Sequence, residues 1–205
     1  MNVFFDTEFT GLQQNTNLIS IGMIDENGRM FYGEFTDYDS DKITPWIEKN
    51  VLANLFNGDW DHFEKHFPFV QDQKNLTVSS GSSDFIKKDI EKWLLESKGS
   101  GINRPIQLIS DCCHYDMVLF CELFGGALLL PSYISSVCVD INQMMADYLK
   151  CTDRAAFNYR RENFVTDHNP NFVIPDGLKH NSLWDAYVIK EIYKILEPMR
   201  FRGSK

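Results

Sequence analysis

Phe5-Asp6-Thr7-Glu8 sets two carboxylates two residues apart, directly behind the apolar lead-in Val3-Phe4-Phe5. Side chains on an extended strand alternate between faces, so Asp6 and Glu8 project the same way. Two carboxylates held side by side repel each other unless one takes a proton or a cation sits between them. Asp116 is a third candidate. It follows Tyr115 and opens the apolar run Met117-Val118-Leu119-Phe120, where a carboxylate is costly to bury without a partner. His180-Asn181-Ser182-Leu183-Trp184-Asp185 adds a fourth carboxylate and an imidazole. If all six residues were helical, five steps would rotate His180 by roughly 140° from Asp185. The two converge only if His180 lies just before the helix and the chain curls back. Each fragment alone also fits a bland role: a solvated strand end, a first-turn Asp favoured by the helix dipole, a capping His beside a surface Asp.

These residues need elements to position them. Val3 to Glu8 reads as a strand, followed by strands at 18–24 and 30–35 around the turn Asp25-Glu26-Asn27-Gly28; this is an antiparallel meander. Ile43, Trp46, Ile47, Val51, Leu52 and Leu55 share one helical face. Residues 59–77 are aromatic and irregular, and 79–83 form a flexible polar stretch that caps the next helix. That helix carries an apolar stripe of Ile86, Ile90, Trp93 and Leu94 and ends at 99–101. A buried strand at 106–109, a core helix at 116–124, a strand at 137–139 and a helix capped by Asp140 follow. Residues 151–179 are polar and Pro/Asn-rich and read as a long loop, and 180–196 close the chain as a helix. Three antiparallel strands followed by strand–helix alternation predict an α/β fold with a mixed sheet, in one domain over 1–205.

Composition narrows the function. The chain has 205 residues, 43% hydrophobic, and no run of about 18 apolar residues, so no membrane span is expected. No basic leader precedes the first strand, so a cytoplasmic location is expected. Five cysteines without a Cys-x-x-Cys pair read as reduced thiols rather than a zinc site. The formal charge of −9 argues against a long duplex footprint. It does not argue against a cation-centred site, because bound divalent ions reverse the local charge. His62 and His66 read as surface residues, and Gly125-Gly126 as a helix stop. His114 and His168 lack the five-residue offset to an Asp that His180 has.

Taken together and in order, Asp-x-Glu, Tyr-Asp and His-x4-Asp resemble the signature of the DEDDh 3′–5′ exonucleases. Phe5 to Leu12 resembles their first motif, and His180 to Ala186 their third. The middle motif departs: Asp111 stands where the family often has Asn, and Tyr115 where it has Phe. The resemblance implies an RNase H-like fold with a five-stranded mixed sheet. It implies two divalent cations, Mg²⁺ or Mn²⁺, about 3.5–4 Å apart, held by Asp6, Glu8, Asp116 and Asp185, with Asp6 bridging and His180 as general base. Nucleoside 5′-monophosphates would leave the 3′ ends of single-stranded RNA or DNA. Trp46-Ile47 and Asn50-Val51-Leu52 are similar to the RNase AS-type exoribonucleases. By the same resemblance Phe9, Thr10 and Leu12 would line the terminal-nucleotide pocket. Phe9 and Leu12 also fit as core residues. Arg154, Arg160 and Arg161 either clamp phosphates or belong to a solvated loop. Homodimers occur in the family. A proofreading-type DNA exonuclease and a catalytically idle nucleic-acid-binding module are the competing readings.

Overall fold

Apolar residues alternate between two faces along the first strand, and this decides the layering. In β1 (Asn2–Phe9), Val3 and Phe5 join one buried cluster while Phe4 joins another. β2 (Leu18–Asp25) is buried along its whole length and β3 (Met30–Phe35) likewise, so both sheet faces are covered. The turn between them closes on Asp25, whose Oδ1 accepts from the amides of Asn27 and Arg29 at 2.9 Å each. Gly28 supplies the positive φ of 94°. These details come from a computed structural model that describes residues 1–59, 61, 67, 70, 73–99, 104–171 and 179–200. His62 and His66 lie outside the described residues, as do Ser100 and Gly101.

Among the described residues one sheet runs in the order β4-β3-β2-β1-β5-β6. β1 pairs antiparallel with β2 and parallel with β5 (Gln107–Ser110), and β5 pairs parallel with β6 (Val139–Asp140). The expected mixed α/β sheet is present, with six strands rather than five. The additional strand, β4 (Leu76–Gly81), runs parallel to β3 from Met30↔Leu76 to Phe35↔Gly81. It includes part of the stretch expected to be flexible. Its polar residues suit an edge strand, where alternate side chains meet water, and Ser79 donates to Asp89 at 2.7 Å.

Helices cover both faces. On one side α2 (Ser83–Lys98) packs Ile86, Ile90, Trp93 and Leu94, and α3 (His114–Leu123) packs Leu119 and Phe120, with Val3, Phe5, Met23 and Phe31. On the other side α7 (Ser182–Arg200) and α4 (Ile141–Leu149) pack with Phe4, Ile24, Tyr32 and Ile109. Asp140 caps α4 as expected, accepting from Asn142 N at 2.7 Å. Two expectations fail. Of the face expected over 43–55, Ile47 and Val51 are buried and Ile43, Leu52 and Leu55 pack beside them, but the α-helix α1 spans only Pro45–Asn50 and Trp46 is 54% exposed. Residues expected to form a loop instead carry α5 (Asp153–Phe157) and α6 (Arg161–His168). Both are too short and polar to show a helical stripe, yet Ala156, Phe164 and Val165 anchor them.

Candidate active site

Register builds the site. Asp6 and Glu8 lie on the same face of β1 as Phe4, towards α7. Asp6 is paired with Gly22 of β2. A Cβ at Gly22 would lie 2.3 Å from backbone atoms of Ser182 and Leu183, so the first turn of α7 rests directly on the strand backbone. Ser20 and Ser182 hydroxyls meet there at 2.9 Å. This close approach delivers Asp185, three residues into α7, to Asp6 and Glu8. Carboxylate oxygens of Asp6, Glu8 and Asp185 all lie within 4.8 Å of one another.

Asp116 arrives from the opposite layer. Pairing between β1 and β5 runs from Asn2↔Gln107 to Phe4↔Ile109, and Asp116 bonds to β1 beyond that stretch. Its Oδ1 accepts from the Thr7 amide at 3.1 Å and from the Thr7 hydroxyl. Its Oδ2 accepts from Ser110 Oγ at 2.9 Å. Asp116 thus flanks the other three rather than sharing their tight group of oxygens, but its charge is felt at both Asp6 and Glu8. His180 sits just before α7 with φ 68°, as its spacing required. Its amide donates to Asp185 Oδ2 at 3.0 Å.

Electrostatics show what the cluster needs. Burial, then the charges of Asp116, Asp185 and Glu8, push the Asp6 carboxyl well above the usual range. Burial, followed by Asp185 and Asp116, does the same to Glu8. Burial pushes Asp185 up to about 8. It pushes Asp116 up to about 6, against the opposing hydrogen bonds from Thr7 and Ser110. None of the ion pairs among the described residues involves these four carboxylates. Clustered, desolvated oxygens without a cationic side chain are a donor set for hard divalent cations. His180 is shifted the other way: burial and then Lys179 lower its pKa, against a smaller effect of Glu162. Its imidazole is therefore neutral at neutral pH and able to accept a proton.

The expected substrate residues part company. Phe9 stacks on Tyr115 with ring centroids 5.4 Å apart and planes at 19°. Thr10 is buried, its hydroxyl held by Thr16 at 3.2 Å and by the Asn17 amide at 3.0 Å, so it shapes the loop. Leu12 is 77% exposed, which removes it from the core. Arg160 is exposed and 3.9 Å from Glu162, and Arg154 is exposed on α5. Arg161 requires a correction. Its Nε and Nη2 grip Asp111 at 2.6 and 2.8 Å, Nη2 also reaches Asn142 Oδ1, and Nη1 donates to the carbonyls of Ala156 and Tyr159. All five guanidinium donors are taken, leaving none for a phosphate. The unusual Asp111 is thereby explained, because it anchors the α5–α6 segment through Arg161.

Replacing Arg161 by Met should destabilise the protein by roughly 2 kcal/mol or more, because Asp111 loses its counter-charge in a half-buried setting. Adding Asp111→Asn should recover most of that loss in urea unfolding. Equal stability of the single and double variants would show that the pair is not coupled.

The sequence reading gave two residues near His180 no part in the site. Trp46 presents its ring to the imidazole edge-on, centroids 5.0 Å apart. Its signal was hidden because an aromatic at helical spacing normally reads as core. Asn181 caps α7 through Oδ1 to the amides of Leu183 and Trp184, and its place directly after His180 was the available clue.

No family model matches the chain. It is 28% identical over 148 residues to 3′–5′ exoribonucleases from two strains of Mycobacterium tuberculosis, covering 72% of this chain and 75% of each relative. Among solved structures it is similar to a 3′-exonuclease recognising the histone mRNA stem-loop, with TM-score 0.62 and 13% identity over 96% of this chain and 63% of that one. It is also similar to the nuclease domain of 3′hExo, a DEDDh family member bound to rAMP, with TM-score 0.59 and 12% identity over 98% of this chain and 92% of that one. Those likenesses are of fold, and the RNase H-like architecture is the one they share. In that fold, in those relatives and in the order of its four carboxylates and histidine along the chain, this protein is similar to the DEDDh 3′–5′ exonucleases.

Proposed function

We propose that the protein is a metal-dependent 3′–5′ exoribonuclease that removes nucleoside 5′-monophosphates from short or single-stranded 3′ ends. The observation that carries this reading is the group of Asp6, Glu8 and Asp185 oxygens within 4.8 Å, with His180 tied by its amide to Asp185. Asp6, Glu8, Asp116 and Asp185 would hold two Mg²⁺ or Mn²⁺ ions. When bound, such ions make a water acidic and stabilise the departing 3′ oxygen. His180 takes the proton of the attacking water at its neutral imidazole. The bond from phosphorus to the 3′ oxygen of the penultimate nucleotide breaks. Thr7 and Ser110 hold the Asp116 carboxylate in place by three hydrogen bonds.

At the rim, exposed Leu12 and Trp46 offer apolar surface to bases, and Phe9 backs the loop through Tyr115. Arg160 and Arg154 are the arginines of the segment left to meet phosphates. With a net charge of −9, so small a cationic set suits a short substrate footprint. Pairing of two copies, which would bring cationic groups of a second chain to this acidic site, belongs to the same proposal. So does a cytoplasmic setting, for which five unpaired thiols speak. No helix among the described residues is long and apolar enough to cross a membrane.

Matched RNA and DNA oligonucleotides, incubated with Mg²⁺ or Mn²⁺ and read by mass spectrometry, test the proposal. Stepwise loss of 5′-monophosphates from the RNA 3′ end, stopped by EDTA, is the expected result. Preference for the DNA would move the substrate to deoxynucleotides, and internal cuts or metal-independent release would overturn the reading.

A further inference from the structure

Asn181 is 1% exposed and touches none of the four carboxylates in any hydrogen bond of the described residues. Capping α7 engages only its Oδ1. Its Nδ2 has two hydrogens, and both are used elsewhere: one on Tyr32 Oη at 3.1 Å, one on the Asn54 carbonyl at 2.8 Å. Asn54 reaches back. Its own Nδ2 donates to the carbonyl of Lys179 at 3.0 Å and to that of Asn50 at 2.7 Å. The residues on either side of His180 are therefore both bonded to Asn54.

Asn54 is itself anchored to the sheet. Two and three residues beyond it, the amides of Phe56 and Asn57 donate to the Glu34 carboxylate of β3, which also takes a hydrogen bond from Tyr32. Four residues before it, α1 ends, and α1 carries the Trp46 ring against His180. The φ of His180, 68°, is one that a residue with a Cβ keeps only where its surroundings fix it.

We infer that Asn181 and Asn54 are positioning residues that bracket His180, fixing the two flanking peptides so that the imidazole faces the attacking water. The inference rests on His180 being the general base. A bracket of this kind acts on turnover. The carboxylate cluster keeps its own supports in β1, α3 and the Gly22 contact, and meets the bracket at the His180 amide on Asp185 Oδ2, so the larger effect falls on turnover and a smaller one on cation binding.

Asn181→Ser separates the two tasks of the residue. Serine still caps a helix but is too short to reach Tyr32 and Asn54. With an RNA oligonucleotide and Mn²⁺, Asn181→Ser should lower kcat roughly tenfold or more, as misplacement of a reacting group does. KM, and Mn²⁺ affinity followed by calorimetry, should each change by no more than about twofold, well short of the loss in kcat. In a His180→Ala background the same substitution should alter kcat by less than about twofold, because a residue acting only through His180 has nothing left to position. Asn54→Ala, at a half-buried site outside the core, reads the bracket from its other end and should follow the same pattern even if Asn181→Ser folds poorly. Wild-type kcat in both variants, a change in KM alone, or an equal loss in the His180→Ala background overturns the inference. A His180→Ala variant with full activity overturns the general-base reading and this inference with it.

Discussion

Asp6→Asn is expected to reduce nucleotide release by roughly a thousandfold or more while making the metal-free protein more stable. Both effects come from one cause. Asp6 is held beside Glu8 and Asp185, and burial and repulsion raise its pKa well above the ordinary 3.8. A carboxyl whose folded pKa is raised adds most to stability while protonated, below its unfolded value, and that contribution disappears as pH rises through the folded value. Asp116 at about 6 and Asp185 at about 8 set the window. In EDTA, wild-type stability should therefore fall as pH rises from about 5 to about 8. Asp6→Asn removes one charge of the group, so at neutral pH it should gain about 1–3 kcal/mol and show a shallower pH slope. Mn²⁺ should raise the Tm of the wild type more than that of the variant. Thermal melts across pH, with and without Mn²⁺, measure all of this. A variant that is less stable than wild type in EDTA, or one that still releases nucleotides at the wild-type rate, would contradict the account.

Gly22→Ala is the second large effect. The added methyl would stand 2.3 Å from backbone atoms of Ser182 and Leu183, and backbone cannot rotate aside as a side chain can. α7 would have to lift from β2 at the turn that delivers His180 and Asp185. A loss of roughly 3 kcal/mol or more is expected, at the upper end of overpacking costs. Whatever folds should turn over at least about a hundredfold more slowly, since a shift of an ångström in a reacting group costs that much. Gly33→Ala on the neighbouring strand is the control. Its nearest neighbours are side-chain atoms of Ile21, Ile86 and Phe31 at 3.1 Å, which can give. Urea unfolding should rank Gly22→Ala well below Gly33→Ala, and the reverse order would show that α7 does not depend on this contact.

What could be read from the sequence was local or periodic. Asp6 and Glu8 share a face because a strand alternates, and the stripe of α2 appears at its helical spacing. The need for His180 to precede the helix followed from its angular distance to Asp185, and its left-handed φ meets that need. What could not be read depended on partners far away in the chain. β4 is polar because it lies at a sheet edge, so its residues carry no strand-like alternation of their own. α5 and α6 are held by a few buried residues and by Arg161, whose partner Asp111 is fifty positions earlier. Trp46 follows the same apolar pattern as buried Ile47 and Val51 but stays half-exposed beside His180, a contact that only the fold brings about. Gly22 gave no sign that a helix would rest on it.

The Asp111–Arg161 pair also bears on how such a site changes between relatives. Restoring the family's usual asparagine at 111 would leave a guanidinium in a half-buried setting with its carboxylate gone, while losing Arg161 first would strand an acid beside four others. Either single step is unfavourable, and only the pair of changes is neutral. The two positions are therefore expected to be exchanged together or not at all, so that what stands at 111 in a homologous chain forecasts what stands at 161.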